Sequence, residues 1–231
     1  MELRALVSAH VDITQQLTRT KNRYKALYRQ SAIPMPVAQS FYRDESWVEQ
    51  LPTAHQRRVA ESLLRQLEVL DDEKKAFEQF FAENARSNRV AGLLKTIPGI
   101  GDIRANQLVA IIVTPARFEN KYHFFAYAML VKHKQQSGGR EYGSRRARGQ
   151  TLLKSIFHNA VYATLRSDNA FRRKYEAMLQ RGTHVRAARQ AVARAIAATV
   201  LGVWKSGKPY DDKHREKGPK KKTCHSAVQS L

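Results

Sequence analysis

The chain has 231 residues, 42% of them apolar, and a formal net charge of +21 at pH 7. That length suffices for one large domain or two small ones, with enough apolar residues for a buried core. The charge is uneven: residues 1–120 carry 17 Lys and Arg against 14 Asp and Glu, whereas residues 121–231 carry 24 against 6. The strong positive charge of residues 121–231 excludes a cationic partner and indicates that the partner is a polyanion. Nucleic acid is favoured over an anionic membrane surface, because no apolar run approaches the ~20 residues that span a bilayer.

Cysteine content and the N-terminal segment bear on the compartment. Cys224 is the single cysteine, so no disulfide can form within the chain and no cysteine cluster suggests zinc. The first residues lack the long apolar stretch of a signal peptide. We therefore expect a cytoplasmic protein, in a bacterium-like setting where DNA is accessible.

Two apolar stripes with alternating spacings of three and four predict two amphipathic helices. The first stripe consists of Leu3, Leu6, His10, Ile13, Leu17, Thr20, Tyr24 and Leu27. The second consists of Ala60, Leu63, Leu67, Leu70, Lys74, Phe77 and Phe81. Pro34 and Pro36 end the first helix, so residues 1–88 are predicted to form a long helical hairpin. Two interpretations stay open here, packing within one chain and a dimerising coiled coil that makes the protein a homo-oligomer.

From residue 89 onward the pattern predicts shorter helices, at about 90–96, 102–113, 121–131, 150–166, 168–181 and 184–205. Asp168 and Thr183 are the expected N-caps of the last two, and Gly182 is expected to end the helix before. Residues 135–149 are rich in Gly, Ser and Arg, which predicts a loop. The lysine-rich segment 207–231 is predicted to be a basic disordered tail.

The clearest local motif is the turn Pro98–Gly101 between two predicted helices, typical of a helix–hairpin–helix module. Gly99 and Gly101 permit positive φ and leave backbone N–H groups uncovered for a phosphate oxygen. Such a contact positions a duplex without reading its sequence. The predicted DNA-binding residues of this motif are Ile97, Gly99, Ile100, Gly101 and Arg104, with the two isoleucines buried to hold the turn. The alternative is a turn that merely connects two packed helices.

The predicted fold class of the chain is all-α. A long helical hairpin or coiled coil is followed, in residues 89–206, by a compact helical bundle that contains this motif.

A serine next to two glycines is the candidate for covalent chemistry. Ser137 precedes Gly138 and Gly139, and four arginines follow, at Arg140, Arg145, Arg146 and Arg148. Their guanidinium groups could surround a phosphodiester and stabilise the charge of a pentavalent state while a serine attacks phosphorus. The alternative is a flexible linker in which the serine is a turn residue. The eight histidines show no H-x-E or H-E-x-x-H spacing, so we expect no metal site.

The order of these pieces resembles a known family. The matching stretches are residues 3–6, residues 20–23, Pro98–Gly101, Arg117-Phe118, Phe125-Ala126-Tyr127-Ala128, Gln136-Ser137-Gly138-Gly139 and Gly149 to Lys154. Together they resemble the C-terminal two-thirds of the DEDD-type insertion-sequence transposases, the IS-one-ten/IS-eleven-eleven group of bridge recombinases, up to about Asp212. The resemblance implies DNA transposition and recombination, with Ser137 as a nucleophile that forms a 5′-phosphoserine with DNA. It also implies a structured, guide-like noncoding RNA that bridges donor and target DNA.

The chain departs from that family at two places. The family's N-terminal RuvC-like domain, with four metal-binding acids, precedes the coiled coil with which this chain begins. The family's Gly-Leu-x-Pro before the serine loop is Met129-Leu130-Val131-Lys132 here. We therefore expect a DNA-binding transposase without its RuvC-like domain, which binds no cofactor by itself, needs Mg²⁺ only with that domain, and does not cleave DNA alone. The alternatives are a non-catalytic helix–hairpin–helix DNA-binding protein and a structural coiled-coil partner.

Overall fold

The computed structural model describes residues 2–36, 39–146 and 148–212. Within these ranges the chain is helical apart from one two-stranded sheet, which confirms the predicted all-α class. The described residues divide into two compact units. The first unit comprises those up to Ala91 together with Asp102–Val113, and the second comprises Gly92–Gly101 together with those from Thr114 onward.

The first unit is built on a long antiparallel helical hairpin, as predicted. Its helices are α1 (Glu2–Gln30), α2 (Ser46–Glu49), α3 (Ala54–Ser87) and α5 (Asp102–Ile112), and α4 (Arg89–Lys95) begins in it. The ring of His10, near the start of α1, lies 5.3 Å from that of Phe81, near the end of α3. At the other end of the hairpin, Tyr24 packs in one cluster with Ala60 and Leu63. These two contacts fix the antiparallel direction.

Most of the buried residues of this hairpin lie on the predicted stripes. His10, Leu17, Thr20 and Tyr24 are buried on α1, and Ala60, Leu63, Leu67 and Phe81 are buried on α3. On α1, however, Val7 and Tyr28 are buried, whereas Leu6 and Leu27 are only half-buried. A straight α-helix has 3.6 residues per turn, so a stripe of average spacing 3.5 drifts around it. Near the C-terminal end of α1 the drift moves the buried position by one residue, from Leu27 to Tyr28.

The connector between α1 and α3 adds an aromatic core. Phe41 is fully buried against Tyr24 and Tyr28, with ring centroids 5.0 and 4.9 Å away. The side chain of Thr53 accepts a hydrogen bond from the Gln56 N–H at 3.2 Å, and the Gln56 side chain reaches back to the Thr53 N–H. This capping box gives α3 a defined start.

Helix α5 packs on α3 through a buried amide. Asn106 is fully buried, and its amide nitrogen donates to the carbonyl oxygens of Phe81 and Asp102, each at 2.8 Å. Its side-chain oxygen accepts from the Asn84 amide. Asn106 thereby pairs all its polar atoms inside the core.

The second unit surrounds the C-terminal helix. Its elements are α6 (Lys121–Tyr127), β1 (Lys132–Ser137), β2 (Arg140–Arg146), α7 (Thr151–Thr164), α8 (Ala170–Gln180) and α9 (Val185–Ser206), with a short 3-10 turn at Pro115–Arg117. Helix α9 contacts α6, α7 and α8. Its buried face holds Ala188, Val192, Ile196, Val200 and Val203. Val185, the first residue of α9, is 41% exposed.

Two predicted N-caps of this unit are displaced by one residue. The cap of α8 is Asn169 rather than Asp168, since its side chain accepts from the N–H groups of Phe171 and Arg172. The cap of α9 is His184 rather than Thr183. Gly182 ends α8 as predicted, with a φ of +79°. The hydrogen bonds from the Gly182 and Thr183 N–H groups back into α8 form a Schellman motif.

The last described residues pack on the second unit. The Tyr210 ring stacks on Phe171 with centroids 5.7 Å apart, and the Tyr210 N–H donates to the Thr96 hydroxyl at 2.8 Å. Asp212 accepts from the N–H of Ala170, the first residue of α8, at 3.0 Å. The rest of the predicted disordered tail, including Cys224, lies outside the described residues.

Candidate nucleic-acid interface

The serine segment is a β-hairpin and not the predicted loop. Strands β1 and β2 pair antiparallel, with Ser137 opposite Arg140. Gly138 and Gly139 have φ of +56° and +72°, as the two central residues of a type I′ turn require. The local signal for this turn was the Gly-Gly pair itself. The residues on either side of it lack the alternating apolar pattern typical of strands.

Ser137 lies at the tip of this hairpin and is exposed. It lies five residue steps of extended strand from Lys132, the first residue of β1, which amounts to about 17 Å. Beside the tip, Arg140 is exposed and Tyr142 is 70% exposed. The serine hydroxyl is therefore open to a large substrate.

The structure does not gather the four predicted arginines around the serine. Arg140 is its cross-strand neighbour, but Arg145 and Arg146 pair in register with His133 and Lys132 at the opposite end of the hairpin. Arg148 follows the second strand and is exposed. The basic residues are thus spread along the length of the hairpin, which suits contacts to several phosphates of one backbone.

Main-chain contacts hold the base of the hairpin. After β2, the Gln150 N–H donates to the Tyr127 carbonyl at 2.8 Å, and a Cβ on Gly149 would collide with that same carbonyl. Before β1, the Leu130 carbonyl accepts from the Gln190 side chain of α9 at 2.7 Å. These anchors could not be predicted from the sequence, in which Gly149 is a weak local signal for them. The hairpin is consequently fixed at its base and exposed at its tip.

The turn of the predicted helix–hairpin–helix joins α4 and α5. The Ile100 N–H donates to the Ile97 carbonyl at 3.0 Å, and both isoleucines are buried as predicted. Gly99 has a φ of +83°, whereas Gly101 lies outside the left-handed region, so the expectation of positive φ holds for Gly99 alone. Arg104 belongs to α5 and to the first unit.

Gly99 packs tightly on helix α7. A Cβ at this position would collide with the Thr164 hydroxyl and the Ala160 carbonyl oxygen. The same hydroxyl donates to the Pro98 carbonyl at 3.0 Å. By contrast, a Cβ on Gly101 would meet open space. Gly99 is therefore needed for packing, and Gly101 keeps the surface of the turn open.

Comparison with known proteins identifies this region. Residues 91–176 match the model of the transposase IS116/IS110/IS902 family. This stretch of the chain is therefore similar to the transposase domain of that family. The match runs from α4 into α8 and includes the Gly99 turn, the complete β-hairpin and α7.

Two curated relatives match a longer stretch of the chain than the family model does. They are the pilin gene-inverting proteins of Moraxella lacunata and Moraxella bovis, each 30% identical over 132 residues. The alignment covers 56% of this chain and 41% of each relative. The chain thus spans about two-fifths of the length of these relatives.

Neither a cluster of metal ligands nor a membrane-spanning helix is found among the described residues. No three His, Cys, Asp or Glu side chains among them come together as a possible metal site. No helix of the described part is long and apolar enough to cross a membrane.

Proposed function

We propose that the chain binds DNA and acts in DNA transposition or recombination, with Ser137 as its nucleophile. The observation that carries the proposal is an exposed serine at the tip of a basic hairpin inside the matched transposase domain. The names of the relatives, which describe inversion of a pilin gene, support recombination over the alternative of a non-catalytic DNA-binding protein.

The proposed chemistry is a phosphoryl transfer. The Ser137 Oγ attacks phosphorus and forms an O–P bond, the bond from phosphorus to the 3′ oxygen breaks, and a 5′-phosphoserine remains. The serine proton passes to a base, and the leaving 3′ oxygen takes up a proton. Arg140, directly opposite Ser137, would stabilise the charge of the pentavalent state.

Trapping of a covalent protein–DNA adduct on a denaturing gel tests this step. The chain is incubated with duplex DNA, alone and with a family RuvC-like domain and Mg²⁺ added in trans. We expect an adduct only in the second mixture, its loss in Ser137→Ala, and its retention in the control Ser144→Ala. An adduct that persists in Ser137→Ala would assign the chemistry to another residue. Efficient cleavage by the chain alone would contradict its dependence on the added domain.

We propose that DNA binding rests on backbone phosphates, contacted by the hairpin arginines and by the turn at Gly101. The excess of 24 basic over 6 acidic residues in residues 121–231 supports this. If six phosphates are neutralised, the logarithm of the affinity should fall with the logarithm of salt concentration with a slope of about −5. The experiment uses the whole chain, because a fragment starting at residue 89 would separate α5 from α3. A flat salt response would contradict this proposal.

RNA is the second polyanion to which the proposal extends. The same basic surface attracts RNA as well as DNA, and the family resemblance implies a structured noncoding RNA. Competition at fixed salt between a structured RNA, an unstructured RNA of equal length and duplex DNA tests this. Equal displacement by both RNAs would indicate charge attraction without recognition of an RNA fold.

Self-association through the helical hairpin is the remaining proposal. The predicted core residue Leu67 is buried within one chain, so it cannot serve as the dimer contact. Instead, Val69 and Phe80 of α3 are 62% and 43% exposed, and they are three helical turns apart on one face. We expect Phe80→Asp to weaken a concentration-dependent dimer in sedimentation, whereas Val59→Asp, about 15 Å from Val69 along the helix axis, should not. A wild-type chain that stays monomeric at all concentrations would contradict this proposal.

A further inference from the structure

A cationic cluster joins helices α7 and α9 in the second unit. Lys154, His158 and Tyr162 occupy successive turns of α7, four residues apart, and therefore share one face. Arg189 of α9 completes the cluster, with its guanidinium carbon 5.1 Å from the centre of the Tyr162 ring and one Nη 3.4 Å from the phenol oxygen. Tyr162 is 52% exposed, and the three basic side chains are half-buried. The α7–α9 cluster is thus open to solvent on one side.

Acidic side chains are missing from the surroundings of the cluster within the described part of the chain. Among the residues that the structure describes, no carboxylate lies within 4.0 Å of Lys154, His158 or Arg189. Other arginines of the same unit are paired, with Arg172 at 2.8 Å from Glu176 and Arg173 at 2.8 Å from Asp168. Cations concentrated without a counterion raise the affinity of a surface for an anion.

Two polar atoms of the cluster are buried without a hydrogen-bond partner in the described structure. They are the Nε of Arg189 and the Nε2 of His158. Burial, and then the Lys154 ammonium, lower the pKa of His158, so its imidazole is neutral near pH 7 and can donate one N–H. Buried polar groups are nearly always satisfied, and a ligand that accepts hydrogen bonds would satisfy both atoms.

The donors define the ligand as an oxyanion with several acceptor atoms. An arginine fork and a lysine ammonium match the oxygens of a phosphate, and a tyrosine ring can cover the adjacent sugar. The elements that carry the cluster also hold the base of the β-hairpin. Helix α7 begins at Thr151, just after β2, and Gln190, next to Arg189, donates to the Leu130 carbonyl before β1. The cluster is therefore connected to the base of the hairpin, whereas Ser137 lies at its tip.

We propose that Lys154, His158, Tyr162 and Arg189 bind one phosphodiester of a nucleic-acid backbone, at a site separate from the serine. This site rests on the proposed DNA binding and adds a defined anchor to it. With the strand length of the hairpin between them, the anchored phosphate and the phosphate attacked by Ser137 are different groups of the substrate. The cluster would hold the backbone while the tip of the hairpin reaches the reacting bond.

The salt dependence of duplex DNA binding by the whole chain tests the site. Arg189→Gln should lower the affinity about fivefold to tenfold and reduce the magnitude of the salt slope by about 1, because one phosphate contact is lost. The matched control Arg172→Gln removes the same charge from the same unit, at an arginine already paired with Glu176, and should leave the slope unchanged. Arg189→Lys restores the positive charge but not the guanidinium fork. Its affinity for duplex DNA should therefore lie between those of Arg189→Gln and the wild type. Equal slopes for Arg189→Gln and Arg172→Gln, with normal DNA binding, would overturn the site and leave DNA binding intact.

A second measurement separates the site from the proposed function. Inorganic phosphate is titrated into the chain while the ¹⁵N signals of the His158 ring are followed, assigned with His158→Gln. The proposed site predicts a saturable shift that disappears in Arg189→Gln and persists in Arg172→Gln. If this shift occurs in a chain that fails to bind duplex DNA, the site stands and the DNA-binding proposal fails. An unchanged His158 signal at saturating phosphate would overturn the site.

Discussion

The chain reverses its direction in two hairpins that differ in what stabilises them. In the helical hairpin α1–α3, Tyr24, Tyr28 and Phe81 are fully buried, and acids pair with bases on the surface, as in the 2.7 Å contact of Lys74 with Glu78. In the β-hairpin, the tip residues are exposed, and the basic residues along the strands far outnumber the single acid, Glu141. The first hairpin is stabilised by its own core, whereas the second is held at its base and exposes its tip.

The largest expected effect is in the core of the helical hairpin. Leu67→Asp places a carboxylate at a position that is 4% exposed, and we expect it to lower the free energy of unfolding by about 3–5 kcal/mol. Val69→Asp, two residues away and 62% exposed, should change it by less than about 0.5 kcal/mol. Denaturant titration followed by circular dichroism gives both values. Similar losses in the two variants would mean that α3 is not buried on the face described.

The next effect concerns the turn that packs on α7. Gly99→Ala combines a φ of +83° with a collision against Ala160 and Thr164, so we expect a loss of about 2–4 kcal/mol in the free energy of unfolding. Gly101→Ala has room for its Cβ and should change stability by less than about 1 kcal/mol. Thermal unfolding of the two variants side by side measures the difference. A Gly99→Ala protein as stable as Gly101→Ala would contradict the close packing of the turn.

A smaller effect is expected where Asp212 caps helix α8. Burial would raise the pKa of Asp212, but hydrogen bonds from the Ala170 N–H, the Tyr210 hydroxyl and Arg173 outweigh it and lower the pKa. Asp212→Asn should cost about 1 kcal/mol at neutral pH. Because the folded pKa lies below the unfolded value, this stabilisation is full above the unfolded pKa and is lost as pH falls through the folded pKa. The difference between wild type and variant should therefore shrink in acid, and a difference that is constant with pH would exclude the charged cap.

The smallest effect is expected at the tip of the β-hairpin. Tyr142 is 70% exposed, so Tyr142→Ala should change the free energy of unfolding by less than about 0.5 kcal/mol. The matched change in the helical hairpin, Tyr24→Ala, removes a fully buried ring and should cost about 3–5 kcal/mol. Denaturant titration of the two variants compares the hairpins directly. A large loss in Tyr142→Ala would show that the tip is part of a core.

Sequence periodicity predicted the helical parts well because an amphipathic helix is encoded locally. The α1 and α3 stripes, the short helices from residue 89 onward and the stop at Gly182 all follow from spacing and capping within a few residues. The N-caps were each wrong by one residue, because Asp168 and Asn169, or Thr183 and His184, have similar capping chemistry. Which of two neighbours caps a helix depends on the backbone that tertiary packing imposes.

The candidate site was predictable only in part. The serine and its glycines could be singled out by residue type, and the match of residues 91–176 supports the family that their order suggested. The separation of Arg145 and Arg146 from Ser137 could not be foreseen, because it depends on the strand register. Residues that are close in sequence lie at opposite ends of an extended strand pair.

The sequence by itself determined the all-α class, the helical hairpin and the basic character of the C-terminal half, since each depends on composition or on spacing within a helix. The tertiary structure decided which glycine of the Gly99–Gly101 turn is packed and which is open, because only the position of α7 distinguishes them. It also decided the α7–α9 cluster, in which Tyr162 and Arg189 meet across 27 residues of chain. Contacts between residues so far apart follow from the packing of whole helices, which no local pattern encodes.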